Sequence, residues 1–139
     1  MEEYILVERP LTTVEEYLRL REAIGWWYVD FEALKIGLPN SLFSVCVIHN
    51  DEVIGCGRVV GDGGMYFYIQ DIIVLPEFQG KGIGRRIMDA VMDFITFHAH
   101  IGAFVALMAA KGVSKFYEKY GFQERPPDRP GMFRIWERE

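Results

Sequence analysis

An apolar run that breaks into three closely spaced glycines and resumes with helical periodicity constrains this chain more than any other feature. In YIQDIIVLPEFQGKGIGRRIMDAV, a β-branched run ends at Pro76, and Gly80, Gly82 and Gly84 follow. Ile83, Ile87, Val91 and Phe94 then recur at helical spacing, with Met88 and Ile95 beside them, which predicts a helix from Gly82 to about His98. A strand feeding a glycine loop that opens a helix favours an anion, because small residues admit close backbone approach and first-turn amides supply donors and positive dipole. Lys81, Arg85 and Arg86 add cationic charge at the same place.

The rest of the chain supplies the elements of a mixed sheet. EYILVER reads as a short strand, and a capping box, either Thr12 with Glu15 or Thr13 with Glu16, starts a helix carrying Tyr17, Leu20, Ile24 and Trp27. A second helical piece, DFEALKIG, stops at Gly37 and Pro39. Strands are predicted over 42–49 and 53–61, around a turn at Asn50 and Asp51, and then over MYFYIQDIIVLP after a GDGG turn. After the long helix, AFVALMA at 103–109 is a candidate buried strand, VSKFYEKY a short helix closed by Gly121, and MFRIWE a last strand. The expected class is α/β, or α+β by some schemes. One domain over 1–139 holds a mixed central sheet of about six to seven strands flanked by about four helices, with a right-handed parallel crossover in its second half.

Composition removes several function classes. Half of the 139 residues are hydrophobic, too many for a disordered chain and enough for an ordinary core. Fifteen basic against twenty acidic side chains leave −5, which argues against a nucleic-acid partner. No apolar run approaches the ~18 residues of a membrane span, and MEEYILVERP carries glutamates where a signal peptide carries lysines, so the expectation is a cytoplasmic protein without membrane contact. Cys46 and Cys56 form neither a metal spacing nor a CxxC pair. A two-residue turn pairs His49 with Glu52. Along an unbroken ladder it sets Cys46 opposite Gly55 and points the two thiols to opposite faces, as buried small apolar residues.

Three phosphate-binding patterns compete for the glycine loop. A P-loop needs GxxxxGK and then Ser or Thr, which the chain lacks, and a GxGxxG fingerprint counted from Gly80 meets Arg85 in place of its last glycine. Gln79-x-x-Gly82-x-Gly84, preceded by Val74-Leu75-Pro76, resembles the pyrophosphate loop of the GNAT superfamily of N-acetyltransferases. Phe116-Tyr117 with Gly121-Phe122, about 35 residues later, is similar to that family's FYxxxGF helix and turn, and the order of elements agrees over essentially the whole chain. Within the superfamily, GDGGMYFYIQDIIVLPEFQGKGIG with RPGMFRIW is similar to small arylalkylamine (serotonin) N-acetyltransferase-like proteins.

The resemblance implies an acetyl-CoA-dependent N-acetyltransferase. It would move acetyl to a primary amine of a small molecule by direct attack in a ternary complex, without a metal, and assemble as a homodimer. Acetylation of a protein amine and non-catalytic acyl-CoA sensing are the alternatives. Acyl transfer needs a neutral amine, donors for the developing oxyanion and help for a departing thiolate, for which a weak acid suffices. By resemblance, Tyr117 is that general acid; its other reading is a packed helix aromatic. Asp71 interrupts an apolar strand, an expensive place for a carboxylate unless it lines a cleft or is paired. It therefore either takes the amine proton or holds the ammonium, or else pairs with an arginine or a backbone amide.

The resemblance also assigns the coenzyme contacts. The main chain of Ile72, Ile73 and Val74 runs beside the pantetheine arm, with Val74 N–H a donor to the thioester carbonyl, in a slot where this strand leaves AFVALMA. Gln79, Gly80, Lys81, Gly82, Ile83, Gly84 and Arg85 form the pyrophosphate loop. Ser114 and Lys111 contact the coenzyme from the other side, or are a helix cap and a solvated charge. Trp26, Trp27, Tyr28 and Phe31 form an aromatic wall for the acceptor, with Trp27 and Phe31 as its contacts, or belong to the core or a subunit contact. His98 and His100 lack a third metal ligand and, like His49, are read as surface or capping residues.

Overall fold

The computed structural model describes residues 3–10 and 13–137. Thr12, one of the two predicted caps, lies outside the described residues. The chain divides into two compact units, Met1–Met108 and Ala109–Glu139.

The first unit holds a five-stranded sheet in the order β1-β2-β3-β4-β5: β1 (Ile5–Val7), β2 (Phe43–His49), β3 (Glu52–Gly61), β4 (Tyr66–Val74) and β5 (Phe104–Ala106). The first four strands run antiparallel and β5 is parallel to β4, across the helix α3 (Ile83–His98), so the sheet is mixed as predicted. Helices α1 (Val14–Ala23) and α2 (Phe31–Gly37) lie between β1 and β2 in the chain. Thr13 caps α1 by accepting the Glu16 N–H at 3.0 Å, and Asp30 caps α2 through the Glu32 N–H at 3.2 Å. Asn50 and Asp51 take φ of 49° and 63°, the signature of a type I′ hairpin turn.

α3 buries Ile83, Ile87, Met88, Val91 and Ile95 against one sheet face, each side chain contributing roughly 1.5–3 kcal/mol. Gly57 lets it seat closely: a Cβ there would stand 2.6 Å from Ile87 Cγ2 and 2.8 Å from Ile72 Cδ1. Arg58, the next residue, turns to the opposite face and meets a carboxylate that it shares with α1.

Two irregularities break the expected register. On β3 an extra residue, Ile54, stands opposite the Val47–Ile48 step, so Cys46 pairs with Cys56 and not with Gly55. The thiols therefore share one face, contrary to the unbroken-ladder expectation. Both are buried and free. A second bulge lies opposite Gly57 at Asp71 and Ile72, where Asp71 has φ of 58°.

β5 is shorter than the predicted 103–109 strand and only partly covered. The second unit contains α4 (Ser114–Glu118), which ends in a turn with Gly121 at φ of 92° and Phe122 N–H reaching back to the Tyr117 carbonyl at 3.4 Å. MFRIWE is not a strand. Its composition suits a pleated, half-buried surface, but no ladder partner exists for it among the described residues, which leaves the sheet at five strands and not six or seven.

Candidate active site

The site grows from the second bulge. Leu75 N–H donates to the Ile54 carbonyl at 2.9 Å, and Cys56 pairs with Ile73 two residues along, so these positions turn their main-chain groups toward β3. Alternation then turns Ile72 and Val74 to the other edge of β4. Strand β5 pairs with β4 only from Tyr66 to Tyr68, and residues 69–74 have no strand partner on that side among the described residues. Pairing between β4 and β5 therefore stops at Tyr68 and Ala106. Of the three residues predicted to offer main chain there, Ile73 is the one whose groups are turned to β3.

Beyond β4 the loop is held by its own side chain: Gln79 Nε2 donates to the Val74 carbonyl at 3.0 Å, leaving Val74 N–H as the outward group of that residue. Gly80 and Gly82 adopt φ of 81° and 80°, a region that disfavours side chains, with open space where each Cβ would stand. Gly82 is the N-cap of α3 and no side chain caps the first turn; the first helical bond runs from Arg86 N–H to the Gly82 carbonyl. Ile83 and Gly84 therefore precede the hydrogen-bonded ladder at the positive end of a 16-residue helix. A bare, side-chain-free cradle at a helix start suits a pyrophosphate. Lys81 and Arg85 are exposed beside it, whereas Arg86 donates to the Tyr4 carbonyl at 2.8 Å and anchors the start of the chain.

Asp71 lies on the α1 face, almost fully buried, and both its oxygens are engaged. Oδ2 accepts from Arg58 Nε at 2.6 Å; Oδ1 stands 3.9 Å from Arg21 and accepts from Gln70 Nε2 at 3.4 Å. Arg58 also donates to Ser41 Oγ at 3.0 Å, and Arg21 to Tyr17 Oη at 3.0 Å. Cys56 Sγ donates to the Asp71 carbonyl at 3.3 Å. A carboxylate between two guanidiniums has its charge neutralised where it stands, so of the two sequence readings the paired, structural one matches this geometry. Burial, then the Asp71 charge, push the Tyr17 phenol up to about 12.

Sequence reasoning missed Arg21, Arg58 and Tyr17 as a group. Arg21 carried a signal: with Tyr17, Leu20 and Ile24 it falls on the helical stripe that faces the core, where an unpaired cation does not belong. Arg58 carried none, because the bulge that brings it to Asp71 has no local signature.

In the second unit, Tyr117 packs edge-on to Phe116 at 5.0 Å between ring centroids, and burial raises its phenol above 10.0. It stays protonated across the neutral range, the state a general acid needs. Tyr120 packs on Phe116 as well, at 5.7 Å. Ser114 begins α4 but does not cap it; Val113 holds that position, without a side-chain bond. Lys111 is exposed.

The aromatic segment is not core. Trp27, Tyr28 and Phe31 are exposed, and Trp26 stacks on Trp27 at 6.1 Å. His98 Nδ1 bonds the Phe94 carbonyl at 2.8 Å in the last turn of α3, as a capping residue would, while His49 stacks on Tyr4 at 4.7 Å. No metal-binding cluster occurs among the described residues, and no described helix is long and apolar enough to cross a membrane.

A bulged strand with an unpaired edge, running into a side-chain-free anion cradle at a helix start, defines the site of an acyl-CoA-dependent acyl transferase. The chain belongs to the GNAT acetyltransferase family, whose domain it matches over residues 40–124. It is similar to an uncharacterized N-acetyltransferase of Pyropia yezoensis, 30% identical over 122 residues that cover 85% of this chain and 69% of that protein. Among solved structures it resembles a Staphylococcus aureus protein of unknown function described as a probable acetyltransferase, with a TM-score of 0.90 and 37% identity over 96% of this chain and all of the other. A GNAT-family acetyltransferase of Streptococcus pneumoniae gives 0.81 and 29% over 98% of this chain and all of the other. The protein is an acetyl-CoA-dependent acetyltransferase.

Proposed function

We propose that the protein acetylates a primary amine of a small molecule by direct attack in a ternary complex. The observation that carries this reading is the outward Val74 N–H on the unpaired edge of β4, just before the Gly80–Gly82 cradle. Acetyl-CoA supplies an activated acetyl thioester. Gln79 to Arg85 hold its pyrophosphate, Ile72 and Val74 offer main chain to the pantetheine arm, and Val74 N–H stabilises the oxyanion as the amine attacks. Tyr117 protonates the departing thiolate and regains a proton from solvent, to which the attacking nitrogen loses its own, and Ser114 contributes a coenzyme contact. Asp71, neutralised by its arginines, acts by fixing the bulge, and the amine enters in its neutral form. Neither thiol serves as an acyl carrier, since Cys46 and Cys56 are buried and held above the usual thiol range by desolvation.

Exposed Trp27 and Phe31, on the segment joining α1 to α2 and the start of α2, support an amine that carries an aryl group, in keeping with the arylalkylamine likeness. The same reading takes 1–139 as one catalytic domain, cytoplasmic and homodimeric. Free-thiol release from acetyl-CoA, measured with a panel of small amines and a panel of peptides, tests it. Turnover with arylalkylamines supports the reading, turnover with peptides alone moves the acceptor to protein amines, and silence on both with intact coenzyme binding leaves a sensor.

A further inference from the structure

Arg21 holds together two regions that are distant in sequence. Its side chain is 5% exposed, on the core-facing stripe of α1. The guanidinium donates through NH2 to the Trp27 carbonyl at 2.7 Å and through NH1 to Tyr17 Oη at 3.0 Å, and stands 3.9 Å from Asp71 Oδ1. It also lies over the Trp26 and Trp27 rings, 5.3 and 4.8 Å from their centroids. Its own carbonyl accepts the Trp26 N–H at 3.2 Å, so main chain and side chain both grip the segment that leaves α1 after Gly25. An apolar residue would fill this stripe without burying a charge. What the arginine adds is a planar fork that serves a carbonyl and a carboxylate at once.

We propose that Arg21 is a positioning residue for acetyl transfer, a clamp that ties the main chain of Trp26 and Trp27 to the Asp71 bulge so that the aromatic segment and the outward edge of β4 keep one geometry. The proposal rests on the reading of that edge as the site of acetyl transfer. A lysine keeps the charge, but its three N–H donors radiate from one nitrogen and lack the fork that spans Asp71 and the Trp27 carbonyl.

Arg21→Lys in the full chain therefore separates positioning from folding. The expected result is a folded protein whose KM for acetyl-CoA stays within about twofold, while kcat/KM for the amine falls about tenfold or more. A folded Arg21→Lys protein with unchanged kcat/KM for the amine overturns the proposal. Should near-ultraviolet circular dichroism show it unfolded, Arg21→Gln removes the fork while leaving Asp71 paired with Arg58, and the same split is read on that protein. A second readout does not depend on turnover. With Trp136→Phe as background, coenzyme A is expected to protect Trp26 and Trp27 from acrylamide quenching, and Arg21→Lys to abolish that protection while coenzyme still binds. Protection that survives Arg21→Lys, or that is absent from the starting protein, overturns the clamp. If no amine or peptide is acetylated by the unaltered protein, the acetyl-transfer reading fails, and the quenching result still decides for or against the clamp.

Discussion

Arg58 Nε stands 2.6 Å from Asp71 Oδ2 across a ladder in which Asp71 itself has no strand partner. The ion pair does at this position what main-chain bonds do elsewhere along β3 and β4. It also holds a residue with φ of 58°, where L-residues are strained by about 1–3 kcal/mol. Asp71→Asn would keep the shape and remove the charge, leaving the buried Arg21 and the half-buried Arg58 without a counter-ion. The expected loss is about 3–5 kcal/mol of stability, read as a lower urea midpoint, with turnover falling alongside. Turnover lost at an unchanged midpoint would instead give Asp71 a direct part in the chemistry.

The limits of the sequence reading follow from the same residues. Asn50 and Asp51, the Gly82–His98 helix and the order of elements were legible because turn chemistry and 3.6-residue periodicity act locally. Register was not. One extra residue on β3, Ile54 opposite the Val47–Ile48 step, reverses the relation of Cys46 to Cys56, and no nearby residue announces it. The glycine cradle could be read because its conformation demands glycine. The Arg21–Asp71–Arg58 group could not, since it joins α1 to two strands through contacts that exist only after folding. MFRIWE shows the reverse case: strand composition without a strand partner among the described residues.

Gly82 takes φ of 80° as the N-cap of α3, with nothing within 4 Å of the place where a Cβ would stand. Gly82→Val meets no steric neighbour, so its effect comes from backbone strain of about 1–2 kcal/mol and from a side chain placed in the anion cradle. The midpoint of unfolding should drop modestly, and affinity for coenzyme A should fall about tenfold or more by calorimetry. Equal affinity at full loading would move the pyrophosphate elsewhere.

Burial raises the Tyr117 phenol above 10.0 by penalising the phenolate, so the group keeps its proton throughout the neutral and mildly alkaline range. As a general acid it imposes no alkaline limb on kcat below that value. Tyr117→Phe should lower kcat about a hundredfold, the low end for general acids because a thiolate leaves readily. The KM for acetyl-CoA should change little, and the pH profile below about 10 should keep its shape. Full turnover by the phenylalanine variant at every pH would return Tyr117 to a packing role.

Desolvation pushes Cys46 from 9.0 to about 11 and Tyr17 from 10.0 to about 12, and Cys56 also lies well above 9.0. In each case the folded protein binds the proton more tightly than the unfolded chain. Stability from these groups is therefore complete below the unfolded values and declines as pH rises, from 9.0 to about 11 for Cys46 and from 10.0 to about 12 for Tyr17. Urea midpoints measured across the alkaline range should fall through that window. The thiolate is the reactive form, so a thiol reagent at about pH 8 should modify the native protein slowly and both cysteines at once on unfolding. Although the shifted register of β2 and β3 places Cys46 opposite Cys56, mass spectrometry after alkylation should find both as free thiols. A native protein that reacts at the rate of an exposed cysteine would mean that one of the two leaves its buried face of the sheet, and with Cys56 would go the hydrogen bond to the Asp71 carbonyl.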